Sequence, residues 1–287
     1  MAPDELDQWL LTSNRRPLVM GVLNVTPDSF SDGGKFFSPE AAVAHAEAMT
    51  AAGADLIDIG GESTRPGSQR VPAQEQLRRL VPVLDWLAGK SVGGVAAISI
   101  DTTLAAVAEA ALDRGAWMIN DISAGRDDPA MLPLAARRGA PIVLMHMRGQ
   151  PKTMQHSPAY ADVAGEVAGF FRERLSAAIA AGIDPKRVLF DPGIGFGKTL
   201  AHNLELLQKL RVLADLGHPI VVGTSRKHTL TQLAASGGGE AASVAMSATA
   251  ATVAWAVANG AAIVRVHEPG PMSQVVRVIG AIDRSGS

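Results

Sequence analysis

The sequence predicts an α/β fold, a single (β/α)8 TIM barrel with its functional site at the C-terminal ends of the strands. Two observations predict it. Eight short apolar runs recur along the chain, separated by stretches of helical length in which small apolar and charged residues alternate. Nearly every run stops at a polar residue, and a parallel barrel gathers its strand C-termini at one mouth.

The elements follow in order. Residues 1–16 carry acids and no apolar segment of signal-peptide type, and are expected to be an extension ahead of a barrel domain spanning 17–287. The strand runs are Pro17–Asn24, Ala54–Glu62, Val95–Asp101, Ala116–Asp121, Pro141–His146, Arg187–Asp191, Pro219–Ser225 and Ala261–His267. Gly53, Gly115, Gly139, Gly182, Gly217 and Gly260 stand just ahead of six of them, as helix C-caps or αβ turns do. Two long loops, Val25–Phe37 and Ser63–Pro72, follow the first two strands and are candidate lids. Ser236–Gly239 is expected to be a flexible loop.

Composition narrows the function. A net charge of −2 gives no basic excess for nucleic acid or an anionic membrane. The absence of cysteine removes disulfides, thiolate nucleophiles and cysteine-ligated metals, and fits a reducing cytoplasm. Ala241–Val264 carries no charge but is rich in Ala, Ser and Thr and ends at Asn259-Gly260, which reads as a buried barrel helix and its following strand rather than a bilayer span. Pro192–Thr199 ends like a Walker A loop but has proline where that motif requires glycine. No HExxH pair and no Gly-x-Ser-x-Gly elbow is present, and His45, His202 and His218 read as surface residues.

The mouth would hold Asn24, Glu62, Asp101, Asn120, His146, Asp191, Lys227, Arg265 and His267. Asp101 and Asp191 end apolar strands, where a buried carboxylate needs a partner, although Asp101 could instead cap the next helix. Of Asn120 and Asp121 strand alternation sends only one into the barrel. Arg265 and His267, two apart, share a face suited to an oxyanion or phosphate, with Ser225-Arg226-Lys227 at the neighbouring loop.

These residues resemble a known family. Met20–Gly34, read MGVLNVTPDSFSDGG, and Asp58–Gly67, read DIGGESTRPG, are similar to the two long signatures of the dihydropteroate synthases. Ser99–Thr102, Ile119–Ile122, Leu144–Met147, Asp191–Lys198, Ser225–Lys227 and Arg265–His267 follow in the same order. The resemblance implies a TIM barrel that joins 6-hydroxymethyl-7,8-dihydropterin diphosphate to 4-aminobenzoate with release of diphosphate. It implies Asp101, Asn120, Asp191 and Lys227 on the pterin; Asn24, Arg265 and His267 on the diphosphate; and Mg²⁺ held mainly through that diphosphate, with Asn24 as the protein ligand. It further implies Asp32 stabilising a pterin methylene cation, Asn24, Lys227, Arg265 and His267 sharing the catalysis, and Phe30, Thr64, Arg65, Pro66, Phe196 and Lys227 around the aminobenzoate. Its partners would be those small molecules and a second copy of the chain in a homodimer, with neither nucleic acid nor membrane. A non-catalytic pterin-binding paralogue and a pterin-dependent methyltransferase barrel are the alternatives.

Two departures stand out. His228 occupies the place where the family usually has a serine against the aminobenzoate carboxylate, and Glu268-Pro269-Gly270 replaces the usual aspartate and apolar residue after the last strand. The first predicts altered aminobenzoate or sulfonamide affinity and the second a reshaped final loop.

Overall fold

The computed structural model describes residues 1–12, 15–26, 39–63, 68–88, 96–149, 154, 158–235 and 238–285, with side chains as far as residue 282. Its strands are β1 (Leu18–Asn24), β2 (Leu56–Gly60), β3 (Ala97–Asp101), β4 (Met118–Asp121), β5 (Ile142–Met145), β6 (Val188–Asp191), β7 (Ile220–Val222) and β8 (Ala261–Val266). They pair in parallel, each with the next and β8 with β1, to close a barrel. Each lies inside its expected run, because inter-strand bonds cover only the paired part of an apolar segment. The helices are α1 (Pro3–Leu11), α2 (Pro39–Ala51), α3 (Ala73–Ala88), α4 (Ala105–Leu112), α5 (Met131–Arg138), α6 (Val163–Ala180), α7 (Leu200–Gln208), α8 (Leu210–Ala214), α9 (His228–Ala235), α10 (Ala241–Ala258) and α11 (Pro269–Ser285).

All six turn glycines have positive φ, from +59° at Gly139 to +99° at Gly53, which L side chains rarely adopt. Each strand buries both faces, but against different partners. Val19, Ile57, Ile119, Ile142, Leu144, Val188, Phe190, Val222 and Val264 face the helix layer. The intervening Leu18, Met20, Leu56, Ala97, Met118, Val143, Leu189, Val221 and Ile263 fill the lower barrel interior. There they meet Leu6, Trp9 and Leu10 of α1, which closes the bottom. The residues called an extension therefore pack into the barrel core.

α10 departs from expectation. It is apolar enough to cross a membrane by length and composition, with mean hydropathy 1.5, but it packs beside α9, α11 and β8, and most of it faces outward. Val244, Thr249, Val253 and Ala256 are its buried positions, so the sequence pattern overstated its burial: small residues in an outer-layer helix carry little side chain to hide.

Candidate active site at the barrel mouth

Two-residue alternation carries the interior of the barrel from apolar to polar within one strand. On β2 Leu56 is followed inside by Asp58, on β3 Ala97 by Ser99 and Asp101, on β4 Met118 by Asn120, on β6 Leu189 by Asp191, and on β8 Ile263 by Arg265. The registers place Asp58 beside Ser99 and Asp101 beside Asn120. The inward polar groups therefore converge in the upper half of the barrel.

Arg265 is the centre of this layer. Its Nε donates to Asp58 Oδ2 at 2.7 Å and its Nη2 to Asp101 Oδ2 at 2.8 Å. Asn120 Nδ2 donates to the same Asp58 oxygen at 2.9 Å. Burial alone would weaken the guanidinium, but Asp58 and Asp101 outweigh it and hold Arg265 firmly charged. Burial pushes Asp101 up to about 7 against the pull of Arg265, helped by the negative charges of Asp58 and Glu62. Asp101 is thus a partner of Arg265 and not a helix cap; Leu104 stands at the N-cap of α4.

Asp191 ends β6 on the same inward face. Burial raises its pKa, opposed by a bond from the Gly193 amide to Oδ1 at 2.7 Å and by the charges of Lys227, Arg265 and Lys198. Burial, then Arg265, pushes Lys227 down to about 8, with Asp191 and Asp101 acting the other way. The Lys227 ammonium lies 4.2 Å from the Phe196 ring centroid, a cation–π contact. His267 pairs through Nδ1 with Ser225 Oγ at 3.1 Å. Arg226, between Ser225 and Lys227, takes the left-handed conformation at φ +56° and bridges Glu268 at 2.6 Å. Pro269 opens α11, where its missing amide costs nothing.

The structure brings Asp101, Asn120, Asp191, Phe196, Lys227, Arg265 and His267 around one cavity of about 50 Å³, walled on its apolar side by Ile122 and Met145. Asn24 ends β1 and His228 opens α9, but neither lines it. Asp32, Phe30, Thr64, Arg65 and Pro66 lie outside the described residues. Two expectations are corrected. His146 is not a mouth residue: it falls on the outward phase of its strand and packs edge-on against Phe170 of α6 at 4.9 Å. His202 and His218 are half-buried and bonded, His202 to the Thr199 amide at 3.2 Å and His218 to Val188 O at 3.1 Å. Of the pair on β4, Asn120 points inward as alternation required of one of them, and Asp121 faces away and receives the Ser123 and Gly125 amides, each at 2.7 Å.

Sequence reasoning gave no role to Asp58, which is fully buried and holds both Arg265 and Asn120, while its Oδ1 has no partner among the described residues. The signal was present: an acid in mid-strand, in phase with Leu56 on the inward face. A larger cavity, about 700 Å³, opens at the opposite end between α1, α10 and α11, remote from every residue of this network. The network is where buried charge concentrates, which makes it the candidate active site.

The arrangement offers carboxylates that accept a planar donor edge, beside cations that grip an anion. The pterin binding enzyme family matches residues 20–267. A dihydropteroate synthase of Synechocystis is 43% identical over 282 residues, 98% of this chain and 96% of that one. A dihydropteroate synthase of Xanthomonas albilineans solved with 4-aminobenzoic acid superposes with a TM-score of 0.84 at 44% identity, covering 93% of each chain. One from the same organism in complex with 7,8-dihydropteroate gives 0.81 at 40%, covering 95% of each. The chain belongs to the dihydropteroate synthases, transferases within the pterin binding enzyme family that condense 6-hydroxymethyl-7,8-dihydropterin diphosphate with 4-aminobenzoate.

Proposed function

We propose that the mouth residues divide this condensation between a pterin floor and a diphosphate rim. Asp191, Asp101, Asn120 and Lys227 hold the pterin, with Asp191 accepting its guanidine-like donor pair in a fork. Arg265 and His267 hold the diphosphate. The bond between the pterin methylene carbon and the diphosphate oxygen breaks first, and diphosphate leaves with the electron pair. The aniline nitrogen then forms the new C–N bond and gives up its surplus proton. The protein supplies no nucleophile; it positions the reactants, stabilises charge on the leaving group and excludes water. Asp32, beyond the described residues, faces the developing cation in this scheme.

The single observation that carries the proposal is the Arg265 clamp. A guanidinium fixed from two sides by Asp58 at 2.7 Å and Asp101 at 2.8 Å is oriented before substrate arrives.

Magnesium belongs to the same proposal. Asn24, at the end of β1, offers a hard oxygen donor. No group of three His, Cys, Asp or Glu side chains among the described residues makes a protein cage, which suits an ion held mainly by diphosphate. When bound, the ion neutralises charge on the leaving group. Phe196, His228 and the loop residues Phe30, Thr64, Arg65 and Pro66 are assigned to the aminobenzoate. A homodimer is supported by apolar residues exposed on α10 and α11, notably Trp255 and Val278. A cytoplasmic location completes the proposal.

The test is product mass and diphosphate release with both substrates and Mg²⁺. Dihydropteroate should form with the wild type and disappear in Asp191→Ala; an Asp191→Ala enzyme of undiminished rate refutes the pterin assignment. Activity surviving a chelator removes magnesium, and a monomer mass by light scattering removes the homodimer.

A further inference from the structure

The loop from β6 to α7 ends in the lysine that gave it the look of a phosphate-binding motif. That lysine is turned inward: Lys198 is 1% exposed. Its Nζ reaches His146 Nδ1 at 2.9 Å, Gly193 O at 3.0 Å, Phe196 O at 3.1 Å and His146 O at 3.3 Å. Burial pushes this lysine down to about 7, with the charge of Asp191 acting the other way. With Nζ as donor to Nδ1, the ring proton of His146 sits on Nε2. Burial keeps that ring neutral, with further pressure from Lys198, Arg126 and Arg148.

The contacts stitch the loop to the end of β5. Gly193 at φ +65° and Gly197 at φ +63° press so closely that a Cβ would overlap the carbonyl oxygens of His146 and Arg148. Tyr160 adds another tether, donating its hydroxyl to Gly197 O at 2.9 Å. Between the two stitched glycines stands Phe196, the residue under the Lys227 ammonium.

We infer that Lys198 is a positioning residue: its buried amine, held on His146, clamps the Gly193 and Phe196 carbonyls and so fixes Phe196 against Lys227 in the aminobenzoate pocket. The inference rests on the assignment of Phe196 to that pocket. A phosphate role is excluded by geometry, because the head group has spent its donors inside the protein.

The test is a double-mutant cycle on the full-length enzyme, reading KM for 4-aminobenzoate and kcat per folded protein. Lys198→Met keeps the chain length and removes every donor. It should raise KM on the order of tenfold to a hundredfold. Phe196→Ala should raise KM as well, and the double variant should be no worse than the worse single one. Tyr160→Phe loses one tether only; it should raise KM about two- to fivefold with the same non-additivity, and it carries the test if Lys198→Met fails to fold. A Lys198→Met or Tyr160→Phe enzyme with lower Tm but unchanged KM, or with effects that add to Phe196→Ala, overturns the positioning role. If Phe196→Ala alone leaves KM unchanged, the pocket assignment falls first and the inference with it.

Discussion

The two ends of the barrel are built from the same strands and use opposite materials. At the bottom, Leu18, Leu56, Val143, Leu189 and Ile263 meet Leu6, Trp9 and Leu10 in an apolar plug. At the mouth, two residues further along several of those strands, Asp58, Asp191 and Arg265 occupy the equivalent inward positions. Apolar burial at the bottom stabilises without specifying direction, at roughly 25 cal/mol per Å². The polar layer costs desolvation and is tolerable only because its members hold one another in place. The contrast says where stability is generated and where it is spent on orientation.

The sharpest way to break the contrast is Arg265→Met. It leaves Asp58 and Asp101 buried without their cation, so it should cost about 3–5 kcal/mol in urea unfolding and also abolish dihydropteroate formation. Leu6→Ala at the other end should cost about 2–5 kcal/mol from lost transfer and cavity terms. Its kcat and KM per folded enzyme should not change, and a kinetic defect there would show that the plug does more than stabilise.

His146 sharpens the comparison through pH. Burial, then the charge of Lys198, pushes it down to about 2 in the folded protein, against an ordinary value near 6.5. Between those values the unfolded chain takes up a proton that the folded one refuses, so this group costs stability as pH falls below 6.5. The loss approaches about 1.4 kcal/mol per pH unit at most. Urea midpoints from pH 7 to 5 should fall less steeply for His146→Gln than for the wild type; parallel curves would contradict the assignment. The smallest effect is expected at the surface. His228→Ser on α9 should shift stability by no more than about 0.5 kcal/mol while changing KM for aminobenzoate or inhibition by a sulfonamide. Unchanged affinity for both would remove His228 from the pocket.

Much of this was legible in the chain. Apolar runs of strand length and a glycine ahead of most of them located every strand, because a residue with positive φ leaves few alternatives to Gly53 or Gly260. The polar stops named Asp101, Asn120, Asp191, Lys227, Arg265 and His267 as a group, and the structure places them around one cavity. His146 was misplaced among them, since a strand end shows a polar residue without showing which phase it occupies until the pairing is known. Asp58 went without a role for the converse reason: an acid inside an apolar run looks like a lone polar residue until its partner, more than 200 positions away, is brought to 2.7 Å.

The sequence by itself determined the repeat and the residue types at the mouth, because those depend on local periodicity and on steric limits within a few neighbours. Only the tertiary structure decided what those residues do to one another. The charge on Arg265, the neutrality of His146 and the inward turn of Lys198 are set by desolvation and by partners remote in sequence. Those energies exist only once the barrel has closed around them.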